Sequence, residues 1–171
     1  MRHLITLIIA AMVCATAYSQ TNNFYSDNGK VYWQKIYETD TDVSELLINS
    51  GRFSDIVEFN GIISARYNPT RVDLNGRGLM EVPIYIRDSE ITFFVRIQQK
   101  EGRYRVTVDQ VVFIQALDTQ LSRKGEQTAL EVYATKRDGS FKNIFLNTAA
   151  DILDEMLTSL FVNTNTLGDD W

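Results

Sequence analysis

Residues 91–109, ITFFVRIQQKEGRYRVTVD, decide the fold because apolar and polar side chains alternate on both sides of a single turn. The apolar side chains at every second position are Ile91, Phe93, Val95 and Ile97, then Tyr104, Val106 and Val108. Lys100-Glu101-Gly102 forms a tight turn between the two runs. Successive side chains of a strand point to opposite faces. The pattern therefore predicts a long antiparallel hairpin with one buried face and one more polar face.

The alternation breaks immediately after this hairpin. At Asp109-Gln110 it changes to the continuous apolar run Val111-Val112-Phe113-Ile114. A β-bulge, which adds one residue to one strand, would explain the change. Burial of the strand end on both faces would explain it equally well.

A strand and a helix are predicted before the hairpin. Residues 30–39 are rich in aromatic and β-branched side chains, which favour a strand. Asp40-Thr41-Asp42 then offers N-cap residues for a helix with Val43, Leu46 and Leu47 on its apolar face. The helix should end at Ser50-Gly51, where glycine suits a left-handed backbone.

A second hairpin is predicted between residues 53–59 and 62–67. These apolar runs flank Asn60-Gly61, and both residues of an Asn-Gly turn accept a positive φ. Residues 72–80 are glycine-punctuated and predict a loop or an irregular edge strand. Residues 81–86 are expected to form an edge strand, because Pro83 lacks a backbone donor.

The strongest helical pattern lies in residues 143–162. One apolar stripe at helical spacing contains Phe145, Ala149, Ile152, Leu153, Met156 and Leu160. Polar side chains, including Asp154 and Thr158, are predicted to face away from it. The stripe predicts that the helix packs on the hairpin sheet. Residues 115–141 receive no assignment.

This order of elements predicts an α+β fold. We expect an antiparallel sheet of about five strands, with an N-terminal helix and a long C-terminal helix packed on one face, in the order β-α-β4-α. The single domain should span residues 30–162. Residues 20–29 are predicted to be a flexible tail and residues 163–171 a C-terminal tail.

Residues 1–19 have the parts of a secretory signal peptide. Arg2 and His3 make a short positive start, and residues 4–15 are nearly all apolar. Ala17-Tyr18-Ser19 is a small-x-small cleavage pattern. The apolar run is shorter than the about 20 residues that span a bilayer. We therefore expect export to the periplasm or cell envelope, and no transmembrane segment after cleavage.

Cys14 raises the question of a lipoprotein signal. Such signals have a small residue directly before the lipidated cysteine, whereas branched Val13 stands there. Lipid anchoring through Cys14 is therefore not expected.

Cleavage of the signal removes His3 and Cys14, the one histidine and the one cysteine of the chain. A Ser-His-Asp triad then cannot form, and the usual zinc and transition-metal sites lack their ligands. The sequence also contains no G-x-S-x-G or S-x-x-K motif. We therefore predict that the protein is not an enzyme, with no catalytic residues and no cofactor.

Carboxylates offer a weaker possibility of metal binding. Glu38, Asp40 and Asp42 alternate and could chelate a hard cation such as calcium. The same residues fit a strand exit followed by helix N-caps. No EF-hand glycine or distal glutamate follows in register. The capping interpretation is therefore favoured, and no metal site is predicted.

The formal net charge of −5 bears on possible partners. An acidic chain repels phosphate backbones and anionic bilayers. We expect no nucleic acid partner, and an envelope protein or a small ligand instead.

Several segments together resemble a known family. They are Lys30-Val31-Tyr32-Trp33, Gly61-Ile62-Ile63, Lys100-Glu101-Gly102-Arg103-Tyr104-Arg105-Val106, and the C-terminal helix with Ile152, Leu153 and Leu160. The resemblance, over about residues 30–162, is to a domain of unknown function found in exported proteins of Bacteroidota-type bacteria. It implies a TBP-like fold. The family has no established catalytic or binding residues, so none is transferred to this chain.

Candidate binding residues lie on the central hairpin. Arg96, Arg103 and Arg105 cluster there with Phe94, and on an open sheet face they would form an aromatic-basic patch for an anionic or aromatic ligand. The alternative is ordinary cross-strand pairing with Asp109 or Glu101 on a wet face.

Two functions are compatible with these features. The first is an exported, non-enzymatic binding or accessory domain of the cell envelope that uses the outer sheet face or an edge. The second is a small-ligand-carrying module with a pocket between the sheet and the C-terminal helix. A hydrolase that uses carboxylates alone is a third, less favoured possibility.

The mature domain is expected to fold without metal or oxidant, because it lacks cysteine and a metal motif. Thermal unfolding of the recombinant mature chain should therefore be unchanged by EDTA or dithiothreitol, as measured by circular dichroism. A large decrease in melting temperature with EDTA would instead indicate a cation at Glu38, Asp40 and Asp42.

Overall fold

The structure, a computed structural model, describes residues 23–39, 42–78, 80–120 and 122–162. Its strands are β1 (Phe24–Asp27), β2 (Lys30–Tyr37), β3 (Phe53–Phe59), β4 (Ile62–Arg71), β5 (Ser89–Lys100), β6 (Arg103–Gln115) and β7 (Gln127–Ala129). Its helices are α1 (Val43–Ser50), α2 (Ile84–Arg87), α3 (Leu130–Ala134) and α4 (Ala150–Leu160). A π-helical turn, Phe145–Ala149, directly precedes α4.

The predicted central hairpin is confirmed as β5 and β6, which lie in the middle of one antiparallel sheet. The strand order is β1-β2-β6-β5-β4-β3, and β7 pairs with the later part of β6. β2 pairs with the first part of β6, whereas β7 pairs with Val112–Ile114. Two strands therefore share one edge of β6.

The β-bulge is confirmed at Gln110. This residue has a φ of 52°, and the register between β5 and β6 shifts between Thr92 and Phe94. Because the bulge absorbs one residue, Gln110 stays exposed and the buried side chains of Val111 and Phe113 return to the core side.

One hydrophobic core fills the space between the sheet and the helices. The inward side chains of β5 and β6 share it with Val43 and Leu47 of α1 and with Leu153 and Leu157 of α4. Phe161, just after α4, packs 6.2 Å from Trp33 between ring centroids. The α+β class and a sheet with helices against one face are thus as predicted.

The first helix is capped as its sequence predicts. The carboxylate of Asp42 accepts a 3.1 Å hydrogen bond from the backbone N–H of Glu45. At the other end Gly51 has a φ of 61° and donates its N–H to the carbonyl of Ile48. The two ends of α1 are therefore determined by local residues.

The predicted count of about five strands is wrong, since the described residues form a sheet of seven strands. One additional strand, β1, lies within the predicted flexible tail of residues 20–29. It pairs with β2 through a turn at Asn28-Gly29, whose φ values of 49° and 75° match those of Asn60-Gly61, 51° and 72°. The same hairpin signal was thus present near the N-terminus.

The other additional strand, β7, falls in residues 115–141, where the sequence allowed no assignment. Together with α3 it covers the end of the sheet beyond β2. The carboxylate of Glu131 on α3 accepts a 3.0 Å hydrogen bond from the backbone N–H of Val31. These short elements are stabilised by contacts with β6 and β2, which are distant in the sequence. No local sequence pattern predicts them.

The edge strand predicted for residues 81–86 is also wrong. Pro83, with a φ of −55°, stands directly before the short helix α2, where a missing N–H is tolerated. The preceding strand is longer than predicted. β4 continues past Pro69 to Arg71 because a register shift between Tyr67 and Thr70 accommodates the proline.

The C-terminal helix buries most of the predicted stripe, including Phe145, Ile152 and Leu153. Two polar residues expected to face away instead bond to β2. The Asp154 carboxylate accepts from the indole N–H of Trp33 at 2.7 Å, and the Thr158 hydroxyl accepts from Lys35 Nζ at 3.0 Å. A buried indole N–H needs an acceptor, and helical periodicity cannot show which polar residue provides it.

The predicted signal peptide, Cys14 and the C-terminal tail of residues 163–171 lie outside the described residues. Among the residues that are described, no helix is long and apolar enough to cross a membrane.

Replacing Phe24 by alanine tests whether β1 belongs to the domain. Phe24 is fully buried and meets the ring of Phe145 edge-on at 5.4 Å. Phe24→Ala should lower the free energy of unfolding by about 3–5 kcal/mol, measured by urea denaturation. Tyr25→Ala on the same strand should cost clearly less, because Tyr25 is only half-buried. Equal small effects would mean that the domain begins at β2.

Candidate functional site

The sheet face opposite the helices is here called the open face. Its side chains alternate with the inward ones and line up across the strands. One row contains Ile36, Arg105, Gln98, Ile62 and Phe59. A second row contains Gln34, Thr107, Arg96, Ser64 and Val57. Arg96, Arg105, Val57 and Phe59 are exposed there, so the open face is accessible to a partner.

Arg96 is neutralised by a neighbouring carboxylate on the open face. Its Nη2 lies 2.6 Å from Oδ2 of Asp109, a residue only 8% exposed. Oδ1 of Asp109 is also buried and accepts no hydrogen bond from any described residue. Phe94 lies beside this pair, in register with Asp109. The arrangement is the cross-strand pairing that the sequence offered as the alternative to a binding role for Arg96.

Arg103 and Arg105 lie elsewhere, at the end of the sheet formed by the β3–β4 and β5–β6 turns. They line a groove of about 540 Å³ together with Lys100, Ile36 and Ile62. The guanidinium of Arg105 donates to Oε1 of Gln98, at 3.1 Å from Nε. Because this acceptor is neutral, the positive charge of Arg105 is not compensated there.

Tyr104 forms part of the same groove and belongs also to the core. Burial raises the pKa of Tyr104 to about 12, so the phenol stays neutral at physiological pH. Its hydroxyl donates to the carbonyl of Phe161. Tyr104 thereby connects the groove to the residues that follow α4.

Two tyrosines stack at the β1 side of the open face. The rings of Tyr25 and Tyr32 lie 5.2 Å apart between centroids with an interplanar angle of 15°. Burial raises the pKa of Tyr25 above its ordinary value, and the neighbouring Tyr32 contributes a smaller increase. Both rings extend the aromatic character of the open face beyond Phe94.

The four candidate residues from the sequence thus separate into two places. Phe94 and Arg96 lie with Asp109 in the middle of the open face, whereas Arg103 and Arg105 line the groove at its end. Lys100 was not predicted to belong to this place, because its position in the sequence assigns it to the turn. The apolar residues Ile36 and Ile62 were not predicted there either. The turns at Asn60-Gly61 and between Lys100 and Arg103 were both predicted. Their location at the same end of the sheet could have indicated that Ile62 lies close to Lys100 and Arg103.

One of the three carboxylates considered for metal binding has another role. Asp42 caps α1, Glu38 is exposed, and Asp40 lies outside the described residues. Glu155 on α4 forms an ion pair with Arg77 of the 72–80 loop. Within the described part of the chain, no group of three or more histidine, cysteine, aspartate or glutamate residues could hold a metal ion.

No protein-family model and no curated protein matches the sequence. A TBP-like protein from Parabacteroides distasonis is similar in structure, with a TM-score of 0.48 and 15% identity, over 79% of this chain and 92% of that chain. A DUF4468 family protein from Bacteroides ovatus has a TM-score of 0.48 and 14% identity, over 85% of this chain and 94% of that chain.

The Arg96–Asp109 pair should matter for stability, whereas Arg105 should not. Arg96→Ala leaves a buried carboxylate without its partner, so the free energy of unfolding should fall by about 1–3 kcal/mol. Arg105→Ala removes an exposed contact and should change it by less than about 0.5 kcal/mol. Urea denaturation at neutral pH measures both. Equal losses would show that Arg96 does not stabilise the sheet through Asp109.

Proposed function

We propose that this chain is an exported, non-enzymatic binding or accessory domain of the cell envelope, and that the open face is its binding surface. The observation that carries the proposal is the contrast between the two sheet faces. All four helices contribute side chains to the core on one face. The other face presents Ile36, Val57 and Phe59, which are 56%, 59% and 71% exposed, among arginines. Apolar and cationic side chains together are typical of recognition surfaces.

A non-enzymatic role is supported by the chemistry of the open face. Its row of Gln34, Thr107 and Ser64 provides neutral hydrogen-bonding groups, and its carboxylate Asp109 is engaged by Arg96. After removal of the signal peptide the chain has no histidine or cysteine, the residues most used as general bases and nucleophiles. Recognition therefore fits these residues better than catalysis.

The packing of the core argues against a ligand pocket between the sheet and the C-terminal helix. Leu153 and Leu157 are each 1% exposed, and the ring of Phe161 lies 5.9 Å from that of Phe53. Met156, which would line such a pocket, packs against the core instead. Large apolar side chains thus occupy this space, and the open face is the better candidate.

Site-specific photocrosslinking tests the proposed surface. Benzoylphenylalanine in place of Ser64, on the open face, should give a discrete crosslinked species in the envelope fraction of the cells that produce the protein. The same group in place of exposed Asn147, on the helix side, is the matched control and should give none. Denaturing gels followed by mass spectrometry identify the products.

Two results would overturn the proposal. Crosslinks from Asn147 alone would place the binding surface on the helices. Recovery of the whole chain, with residues 1–19 uncleaved, in the cytoplasmic fraction would exclude an exported function.

A further inference from the structure

The groove at the end of the open face concentrates positive charge. Lys100, Arg103 and Arg105 line it, and none of its described lining residues is an aspartate or glutamate. Exposed Glu101 lies in the turn between Lys100 and Arg103, so the three cations leave a local excess of positive charge in a chain with a net charge of −5. Concave clusters of one sign focus the field on an oppositely charged ligand.

The groove also has an apolar component. Ile36 on β2 is 56% exposed, and Ile62 on β4 is half-buried at the other side. Arg105 and Gln98 lie between them in the same row across the sheet. A ligand that contacts all of these residues pairs anionic groups with the cations and places apolar groups on the isoleucines.

The dimensions favour an extended chain over a single small anion. The row from Ile36 to Ile62 crosses four neighbouring strands, and strands lie about 4.8 Å apart, so the groove is about 15 Å long. Extended backbone rises about 3.3 Å per residue, so four or five residues fill this length. One inorganic anion would leave most of the groove empty.

A membrane surface fits less well than a peptide. A flat bilayer cannot enter a concave groove between two hairpin ends, and the acidic remainder of the chain is repelled by anionic headgroups. The combination of length, charge and apolar surface points to a protein segment.

We propose that this groove binds an extended, acidic segment of a partner protein, in an inference that rests on the proposed function of the open face. Carboxylates of the segment pair with Lys100, Arg103 and Arg105. Apolar side chains between those carboxylates lie on Ile36 and Ile62. The groove is thus the specific part of a larger binding surface.

The probe is a rhodamine-labelled synthetic peptide, Gly-Leu-Glu-Glu-Leu-Glu-Gly, and the measurement is fluorescence anisotropy with the mature chain. Arg103→Glu should weaken binding by about tenfold or more, since it reverses one of three charges. Arg66→Glu is the matched control: Arg66 on β4 is exposed and in register with Phe94 on the open face, and it does not line the groove. It should alter the affinity by less than about threefold.

The apolar component has its own pair of variants. Ile36→Ser should weaken binding by about fivefold through loss of apolar contact. Ile48→Ser changes the same residue type at similar exposure, 62% against 56%, on α1 and away from the open face, and should have no effect. Unchanged thermal unfolding of all four variants shows that the fold is intact.

Three outcomes of the peptide and vesicle measurements would overturn the inference. Equal weakening by Arg103→Glu and Arg66→Glu would mean diffuse attraction rather than a site. Equal binding of a peptide with glutamine in place of glutamate would remove the role of charge. Binding to phosphatidylglycerol vesicles, lost in Arg103→Glu, without binding of the peptide would assign the groove to lipid.

The crosslinking experiment separates this inference from the proposed function. A Ser64 crosslink that disappears with Arg103→Glu but persists with Arg66→Glu supports the groove as the specific contact. A Ser64 crosslink that persists with Arg103→Glu leaves the open face as the binding surface and overturns the groove. No crosslink from Ser64 contradicts the proposed function itself.

Discussion

The rest of this structure depends on one constraint: the apolar side chains of β5 and β6 must stay on the same face of the sheet. The bulge at Gln110 keeps the buried side chains of β6 on that face. A positive φ at a non-glycine residue costs about 1–3 kcal/mol. Without the bulge, Val112 and Ile114 would face inward in place of Val111 and Phe113. Phe113 would then lose its ring contacts with Tyr85 and Tyr133.

The same alternation of inward and outward side chains decides where the polar groups lie. Asp109 precedes the bulge and therefore faces outward beside Arg96, and the pair keeps a nearly buried carboxylate compensated. On the core side, the polar contacts serve a different purpose. The bonds from Trp33 to Asp154 and from Lys35 to Thr158 attach α4 to β2 on that side of the sheet.

Elements with a local physical cause were predicted correctly. The central hairpin, the Asn60-Gly61 turn and α1 with its cap at Asp42 each depend on residues close together in the sequence. β1 was missed because its polar surroundings concealed a four-residue strand, although Asn28-Gly29 carries the same turn signal. β7 and α3 had no local signal, because a three-residue strand is stabilised only by pairing with β6.

By itself the sequence determined which side chains share a face, because alternation along a strand and the stripe along a helix are properties of neighbouring residues. It therefore placed Phe94, Arg96, Arg103 and Arg105 on the outer face of the hairpin. Only the tertiary structure decided that Asp109 neutralises Arg96 while Arg103 and Arg105 join Lys100, Ile36 and Ile62 in a groove. Those neighbours come from strands far apart in the chain, and their register is set by long-range pairing and core packing, which no local pattern encodes.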